Sequence, residues 1–250
     1  MDLMTSYAIK KRKFIMHAAH PTVGVSIAMS AQRFQCAVVR PRKVYAIAGP
    51  KDQPLAMQVQ NYLVDFLGDD YSMDWNCVTI KAKGMPLEDI NPHDIDCLIL
   101  FGHPAVMNVK ALERIHDYWQ CGGSLVAVRI VDFALHGSAK FAGELFGGEY
   151  HNEHLLEPCK IGLRHDAGHH PLLRGVRPFI SRGGLHCYNL PPTEATPILF
   201  GSAAGEIVPV AWVRSRLGRR IFATTLGSPA DFRHPCFLRL LANATIWTAR

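Results

Sequence analysis

The chain has 250 residues, 48% of them hydrophobic and 19% charged, with a formal net charge of +6. That length suits one large α/β domain or two small ones, and the apolar content is enough for a sizeable core. The basicity is local: residues 1–43 hold eight of the 27 Lys and Arg (Lys10, Lys11, Arg12, Lys13, Arg33, Arg40, Arg42, Lys43) but only one acid, Asp2, of the 21, so the other 207 residues, with 19 basic and 20 acidic groups, are close to neutral. No base-stacking aromatics interleave with these basic residues, which argues against a specific nucleic-acid site.

Residues 1–42 therefore read as a basic N-terminal arm ahead of a domain spanning 43–250. Within the arm, Lys10 to Lys13 precede an apolar stretch, Phe14 to Ala31, that ends in small residues, the outline of an export leader. His17, His20 and Pro21 interrupt the stretch, and a disordered tail or a later start at Met16 or Met29 is the alternative. If residues 1–31 act as a leader, the protein is exported. The seven cysteines are scattered, odd in number and free of C-x-x-C pairs, a pattern that favours a reducing, cytoplasmic compartment over a disulfide framework. No other stretch of about 18 uninterrupted apolar residues occurs, so no transmembrane span is expected.

Past the arm, strands and helices alternate. Val44 to Ala48 is a short buried-type strand broken by Gly49-Pro50. Leu55, Val59, Tyr62, Leu63 and Phe66 recur at helical spacing, with Gly68 as the stop. Trp75 to Ala82 reads as a strand. Asp96 to Phe101 is an apolar run bounded by Pro92 and by Gly102-His103-Pro104, the type buried in a parallel sheet. Ala111, Leu112, Ile115, Tyr118 and Trp119 give a second helix, ended by Gly122-Gly123, and Leu125 to Ile130 gives the next strand. The β-α-β-β-α-β order predicts an α/β fold with a doubly wound, mainly parallel sheet, in which ligands bind beyond the carboxyl ends of the strands. Absence of repeats or long linkers favours a single domain.

The second half is less regular. Phe141 to Phe146 looks helical, Gly147 to His154 reads as a polar loop, and Leu155 to Arg164 as a strand. His169-His170-Pro171 is a turn, and Ala195 to Phe200 is extended. Pro209 to Arg214 and Arg220 to Thr225 are two strands joined around Gly218 as a hairpin. Pro235 opens a last amphipathic helix carrying Phe237, Leu240, Leu241, Ala244 and Trp247 on one face.

This closing segment resembles that of the trehalose-utilisation (ThuA-like) family. The matching residues are Pro209-Val210-Ala211-Trp212, Arg220, Phe222, Thr224, Leu226-Gly227, Phe237, Arg239-Leu240-Leu241, Asn243-Ala244 and Trp247. Further correspondences are Gly122 to Val126, His170-Pro171 to Val176, and Tyr188 to Pro191. The likeness is weak before Asp96 and strong after Val208. Two positions depart: Arg219 stands for the family's Gly, and Ser228 for its His. The resemblance implies a fold similar to class I glutamine amidotransferases or flavodoxin, with a C-terminal hairpin and helix. It also implies a role in disaccharide or oxidised-sugar catabolism and a small-molecule carbohydrate as partner. In the amidotransferases a nucleophilic cysteine sits on the turn after the strand equivalent to Leu125–Ile130. Here that turn lies near Arg129 and holds no cysteine, which argues against amidotransferase chemistry. A family subgroup has Arg-Thr-x-x-His-Ala-Phe at this place; the chain keeps Arg129 but has Phe133 for the His.

Candidate site residues follow. Arg129 at a strand end suits a carboxylate, phosphate or sugar hydroxyl; a structural salt bridge is the alternative. His103 follows another strand, and Asp132 and Tyr150 complete the ligand-binding candidates. His151 and His154 are the candidate acid–base pair, since histidine is suited to proton transfer near neutral pH. The same two could hold a divalent metal such as Zn²⁺, with His103, Asp132 or His136 as a third ligand, although no strong metal motif is present. A metal-free polar pocket is the competing reading. Asp52 either borders the crevice or caps the helix that follows it. An enzyme and a non-catalytic sugar-binding or interaction domain both remain open.

Overall fold

A computed structural model describes residues 40–79, 91–102, 109–131, 139–154, 158–190, 195–216 and 218–249. The strands β1 (Arg42–Ala48), β3 (Cys97–Phe101) and β4 (Leu125–Val128) are apolar on both faces, and β3 and β4 are buried along their whole length. Such strands need cover on two sides, which a parallel sheet with crossover helices supplies. Together with β2 (Met73–Thr79) and β11 (Arg219–Thr224) they form a parallel block in the order β2-β1-β3-β4-β11. Val44 pairs with Cys97 and Leu98 with Leu125, so the three strands expected to be parallel share one sheet. The first strands of this block follow the flavodoxin-like arrangement, whose switch point lies between β1 and β3.

The sheet continues beyond β11 through β10 (Glu206–Arg216), β9 (Thr196–Ala203), β6 (Cys159–Leu163) and β7 (Phe179–Ser181), all antiparallel, to nine strands. Gly218, at φ +79, turns the hairpin between β10 and β11, where Arg216 faces Arg219. Pro209 sits within β10 beside a break in register, where a residue without an N–H does least harm to the ladder.

Helices cover both faces. Residues of α1 (Gln53–Leu67) and α4 (Pro235–Thr248) pack in one cluster with Ile99, Phe101, Val126 and Val128. Residues of α2 (Val109–Gln120) and α3 (Ala139–Phe146) pack in the other with Leu98, Leu100, Leu125 and Ala127. The two sets alternate along the same strands, as period-two side chains must. Each large apolar side chain so buried contributes about 1.5–3 kcal/mol. Cys97 behaves as one of these apolar groups: burial pushes its thiol up to about 12.

Arg219 and Arg220 extend the same alternation to the helix ends. Arg219 donates to the Gln120 carbonyl at 2.8 Å and lies over the Trp119 ring, and Arg220 donates to the Trp247 carbonyl at 2.7 Å and lies over the Trp247 ring. Neighbouring strand residues thus cap the carboxyl ends of α2 and α4, where a cation opposes the helix dipole. Arg219 takes this role because the left-handed turn position has moved to Gly218. At its start α4 is capped by His234, whose Nδ1 accepts from the Cys236 N–H at 3.2 Å, with Pro235 in the first turn.

Several boundaries differ from the sequence reading. Gly147 to His154, expected as a polar loop, contains β5 (Glu149–His154), paired antiparallel with β8 (Leu185–Asn189). Its polar composition hides the strand. Cross-strand pairing and the edge-on packing of Tyr150 against Tyr188 provide what local propensity does not. The strand expected over Leu155–Arg164 is confined to β6, with 155–157 outside the described residues, and that expected over Trp75–Ala82 runs from Met73 to Thr79, with 80–82 outside them. β4 stops at Val128 because Arg129 leaves the extended region, at φ +56. Among the described residues no helix is long and apolar enough to cross a membrane.

Candidate functional site

Arg129 follows β4 directly and is one of two described non-glycine residues with positive φ. A left-handed backbone costs a non-glycine residue on the order of 1 kcal/mol or more, so its surroundings must hold it. They do so from two strands. The Arg129 N–H donates to the Leu226 carbonyl and the Ile130 N–H to the Thr224 carbonyl, both at 3.1 Å, while the Gly102 N–H donates to the Val128 carbonyl at 3.0 Å. Gly227, at φ +134, packs on the outside of the turn. A Cβ there would stand 2.7 Å from Val128 Cγ1 and 3.5 Å from Arg129 Cβ, so only glycine allows the approach.

The Arg129 side chain turns toward the switch point. Its Nη2 donates to both carboxylate oxygens of Asp52 at 3.2 Å and to the Gly102 carbonyl. Asp52 lies past the end of β1, where its side chain makes no helix-capping hydrogen bond, so the carboxylate serves the ion pair instead of the cap. The Asp52 side chain is 6% exposed and that of Arg129 21%, so Arg129 is the partner that reaches solvent. The carboxyl ends of β1, β3 and β4 are thereby joined through Asp52, Gly102 and Arg129, in the place where a doubly wound sheet gathers its ligand contacts.

The wall beside this turn rests on Asp231, a residue the sequence reading missed. Asp231 is 2% exposed, and its carboxylate accepts from Ser181 Oγ at 2.7 Å, from the Gly227 N–H at 3.0 Å and from the Ser228 N–H at 2.9 Å. In return Ser228 Oγ accepts from the Asp231 N–H at 3.4 Å. This reciprocal arrangement has the hydrogen-bond pattern of a capping box, closed on the turn ahead of Asp231, and the Ser-x-x-Asp spacing is its sequence signal. Ser228 therefore has a structural role at the position where the family has His.

Tyr150 is half-buried and packs edge-on against Tyr188, with ring centroids 5.7 Å apart. The Tyr188 hydroxyl donates to the Ile130 carbonyl at 3.3 Å, which ties the β5–β8 ribbon to the residue after Arg129. His151 is exposed and occupies the extra position of a bulge, since Tyr150 pairs with Tyr188 and Asn152 with Cys187. The His154 backbone lies opposite Leu185; its side chain, and His103, Asp132 and His136 altogether, lie outside the described residues. Among the described residues no three His, Cys, Asp or Glu side chains are grouped to hold a metal ion. A cavity of about 690 Å³ opens between the end of α3, the β5–β8 ribbon and β9–β10; its described lining includes Glu149 and Tyr188 but neither Arg129 nor His151.

The strand order, the covered parallel block and the sharp turn after β4 define an α/β protein of the flavodoxin-like and class I glutamine amidotransferase-like type, with arginine on that turn. The chain belongs to the ThuA family: the family's profile, described as trehalose utilisation, matches residues 58–248. Among solved structures, a ThuA-like protein from Parabacteroides merdae is 16% identical, with a TM-score of 0.59 over 84% of this chain and 90% of that one. A ThuA-like protein from Bacteroides uniformis, also 16% identical, gives 0.62 over 84% and 92%. The carbohydrate deacetylase Agd3 is 10% identical, with a TM-score of 0.59 over 82% of this chain and 32% of that one. No curated protein matches the chain.

Proposed function

We propose that this ThuA-family protein acts in carbohydrate catabolism, on a disaccharide or an oxidised sugar, and binds its ligand at the carboxyl ends of the parallel strands with Arg129 as the clamp. The observation that carries this reading is the geometry of Arg129. Its backbone is held at φ +56 between β3 and β11, and Asp52 fixes the guanidinium at the switch point. A guanidinium so oriented suits the carboxylate of a sugar acid or a pair of sugar hydroxyls. The family description supplies the substrate class. About a third of the carbohydrate deacetylase shares the fold, and that protein is named for acting on carbohydrate. In the enzymatic form of this reading, His151 and His154 on β5 serve as acid and base, with His103, Asp132 and Tyr150 as further ligand contacts.

A non-catalytic sugar-binding domain is the second reading, favoured by the ion pair itself: Asp52 already balances the charge of Arg129, and the turn carries no cysteine. Calorimetric titration with trehalose and with glucuronate tests the binding. Arg129→Ala is expected to weaken it by about 1.5–3 kcal/mol, the scale of hydrogen bonds to charged groups. Unchanged affinity in a folded variant removes Arg129 from the site. Turnover lost in His151→Ala, with binding kept, separates the enzyme from the binding domain.

A further inference from the structure

The cavity of about 690 Å³ beside the β5–β8 ribbon falls in the size range of small-molecule sites, roughly 300–1,000 Å³. Its lining is largely apolar: Leu190, Pro197 and Pro209, beside the buried Tyr188. Two of its lining residues are polar, Glu149 and Asn189. They are direct partners in the antiparallel register of β5 and β8, so the carboxylate and the amide rise from adjacent positions of the ribbon. Both residues are exposed, and among the described residues neither side chain makes a hydrogen bond or an ion pair.

The backbone is shaped around this pair. Gly147, at φ +77, and Gly148 form the connection from α3 into β5. A Cβ on Gly148 would come within 2.6 Å of Leu190 Cδ2 and 3.3 Å of the Asn189 carbonyl oxygen, so glycine lets the two strands of the ribbon close beside the cavity. Arg214 lies against Gly147, but its guanidinium is committed to the Glu144 and Leu145 carbonyls at the end of α3, each at 2.8 Å. Glu149 is thus the charged residue among the described lining residues.

We propose that this cavity is a binding site for a neutral polyhydroxylated ring. The apolar C–H face of the ring lies on Leu190 and the prolines, and Glu149 and Asn189 grip neighbouring hydroxyls, the carboxylate accepting and the amide both donating and accepting. A sugar acid is disfavoured, because its carboxylate would face that of Glu149. The inference rests on the carbohydrate reading for its ligand class, but it does not depend on Arg129.

Trehalose is the neutral probe and glucuronate the anionic one, both titrated calorimetrically into the full chain. Trehalose is expected to bind more tightly than glucuronate at this site, with Glu149→Ala weakening trehalose about tenfold or more and Asn189→Ala weakening it less. Gly143→Leu provides a plug. Gly143 lines the cavity from a helix, and an added Cβ there meets only the Gly148 carbonyl oxygen, at 3.5 Å, so the fold should tolerate it while trehalose binding is lost. No binding of trehalose by the wild type, or binding unchanged in both Glu149→Ala and Gly143→Leu, overturns the proposal. Arg129→Ala separates it from the strand-end clamp. Trehalose binding that survives Arg129→Ala but not Glu149→Ala places the ligand in the cavity alone, and glucuronate binding lost only in Arg129→Ala keeps the clamp whatever becomes of the cavity.

Discussion

Arg129 and Asp52, 77 residues apart in the chain, meet at 3.2 Å across the carboxyl ends of β4 and β1. The contact joins the strand-end turn to the start of α1 and spans β3, whose Gly102 carbonyl also accepts from the guanidinium. Removing the guanidinium leaves a carboxylate that is 6% exposed without this partner. We expect Arg129→Ala to cost on the order of 2–4 kcal/mol in denaturant unfolding, toward the low end because Arg129 itself is partly solvated. Asp52→Asn should cost less, since the amide still accepts a hydrogen bond. A double-mutant cycle between the two positions should give a coupling of about 1–3 kcal/mol, and near-zero coupling would show that the pair does not hold the turn.

Gly227 sets a steric limit on the same turn. Gly227→Ala places a methyl group 2.7 Å from Val128 Cγ1 on a backbone at φ +134. Strain and overlap add, so we expect a loss of about 2 kcal/mol or more. Thermal unfolding measures it; a loss below about 0.5 kcal/mol would mean that the loop moves aside at little cost.

Asp231 is the buried anchor of the loop after β11. Asp231→Ala deprives Ser181 Oγ and the Gly227 and Ser228 N–H groups of their acceptor. We expect about 3 kcal/mol of destabilisation, and about 1 kcal/mol for Ser181→Ala, which removes one bond. Equal losses in the two variants would contradict the central place given to the carboxylate.

His170 gives a pH dependence. Burial lowers its pKa from the ordinary 6.5, and its Nδ1 accepts from the Leu172 N–H at 3.3 Å, a bond that needs the neutral ring. The unfolded chain takes up the proton at the ordinary value and the folded chain only at lower pH. This contribution to stability is therefore full above 6.5 and is lost as pH falls toward the lowered folded value. His170→Asn keeps an acceptor for the Leu172 N–H and removes the titration. The drop in thermal midpoint between about pH 7.5 and about pH 5 should be smaller in this variant than in the wild type. An identical drop would assign the acid sensitivity to other groups.

The parallel block was legible in the sequence because its signals are local. Apolar runs such as Cys97–Phe101, the helical spacing from Leu55 to Phe66 and the stop at Gly68 each follow from the side chains of a single segment. The order of those segments then fixes a doubly wound sheet, since parallel neighbours require crossover helices. The closing motif from Pro209 to Trp247 was equally readable. Arg129 could be named as a strand-end residue, whereas the Ser228-x-x-Asp231 spacing went unread.

Tertiary structure alone decided the partners. Nothing near Arg129 in the chain points to Asp52 as its counter-ion; the two meet because β1 and β4 flank β3 in one sheet. The strand at Glu149–His154 was hidden for the same reason. Its residues have little intrinsic preference for extended structure, and they pair because β8, some thirty residues later, supplies the hydrogen bonds and the ring of Tyr188. The sequence by itself determined which segments are strands and helices wherever local periodicity is strong, together with the family and the residue standing on the turn after β4. The ion pair, the left-handed strain at Arg129, the bond from Ser181 to Asp231 and the Glu149–Asn189 pairing arise from contacts between segments far apart in the chain, and no local pattern encodes such contacts.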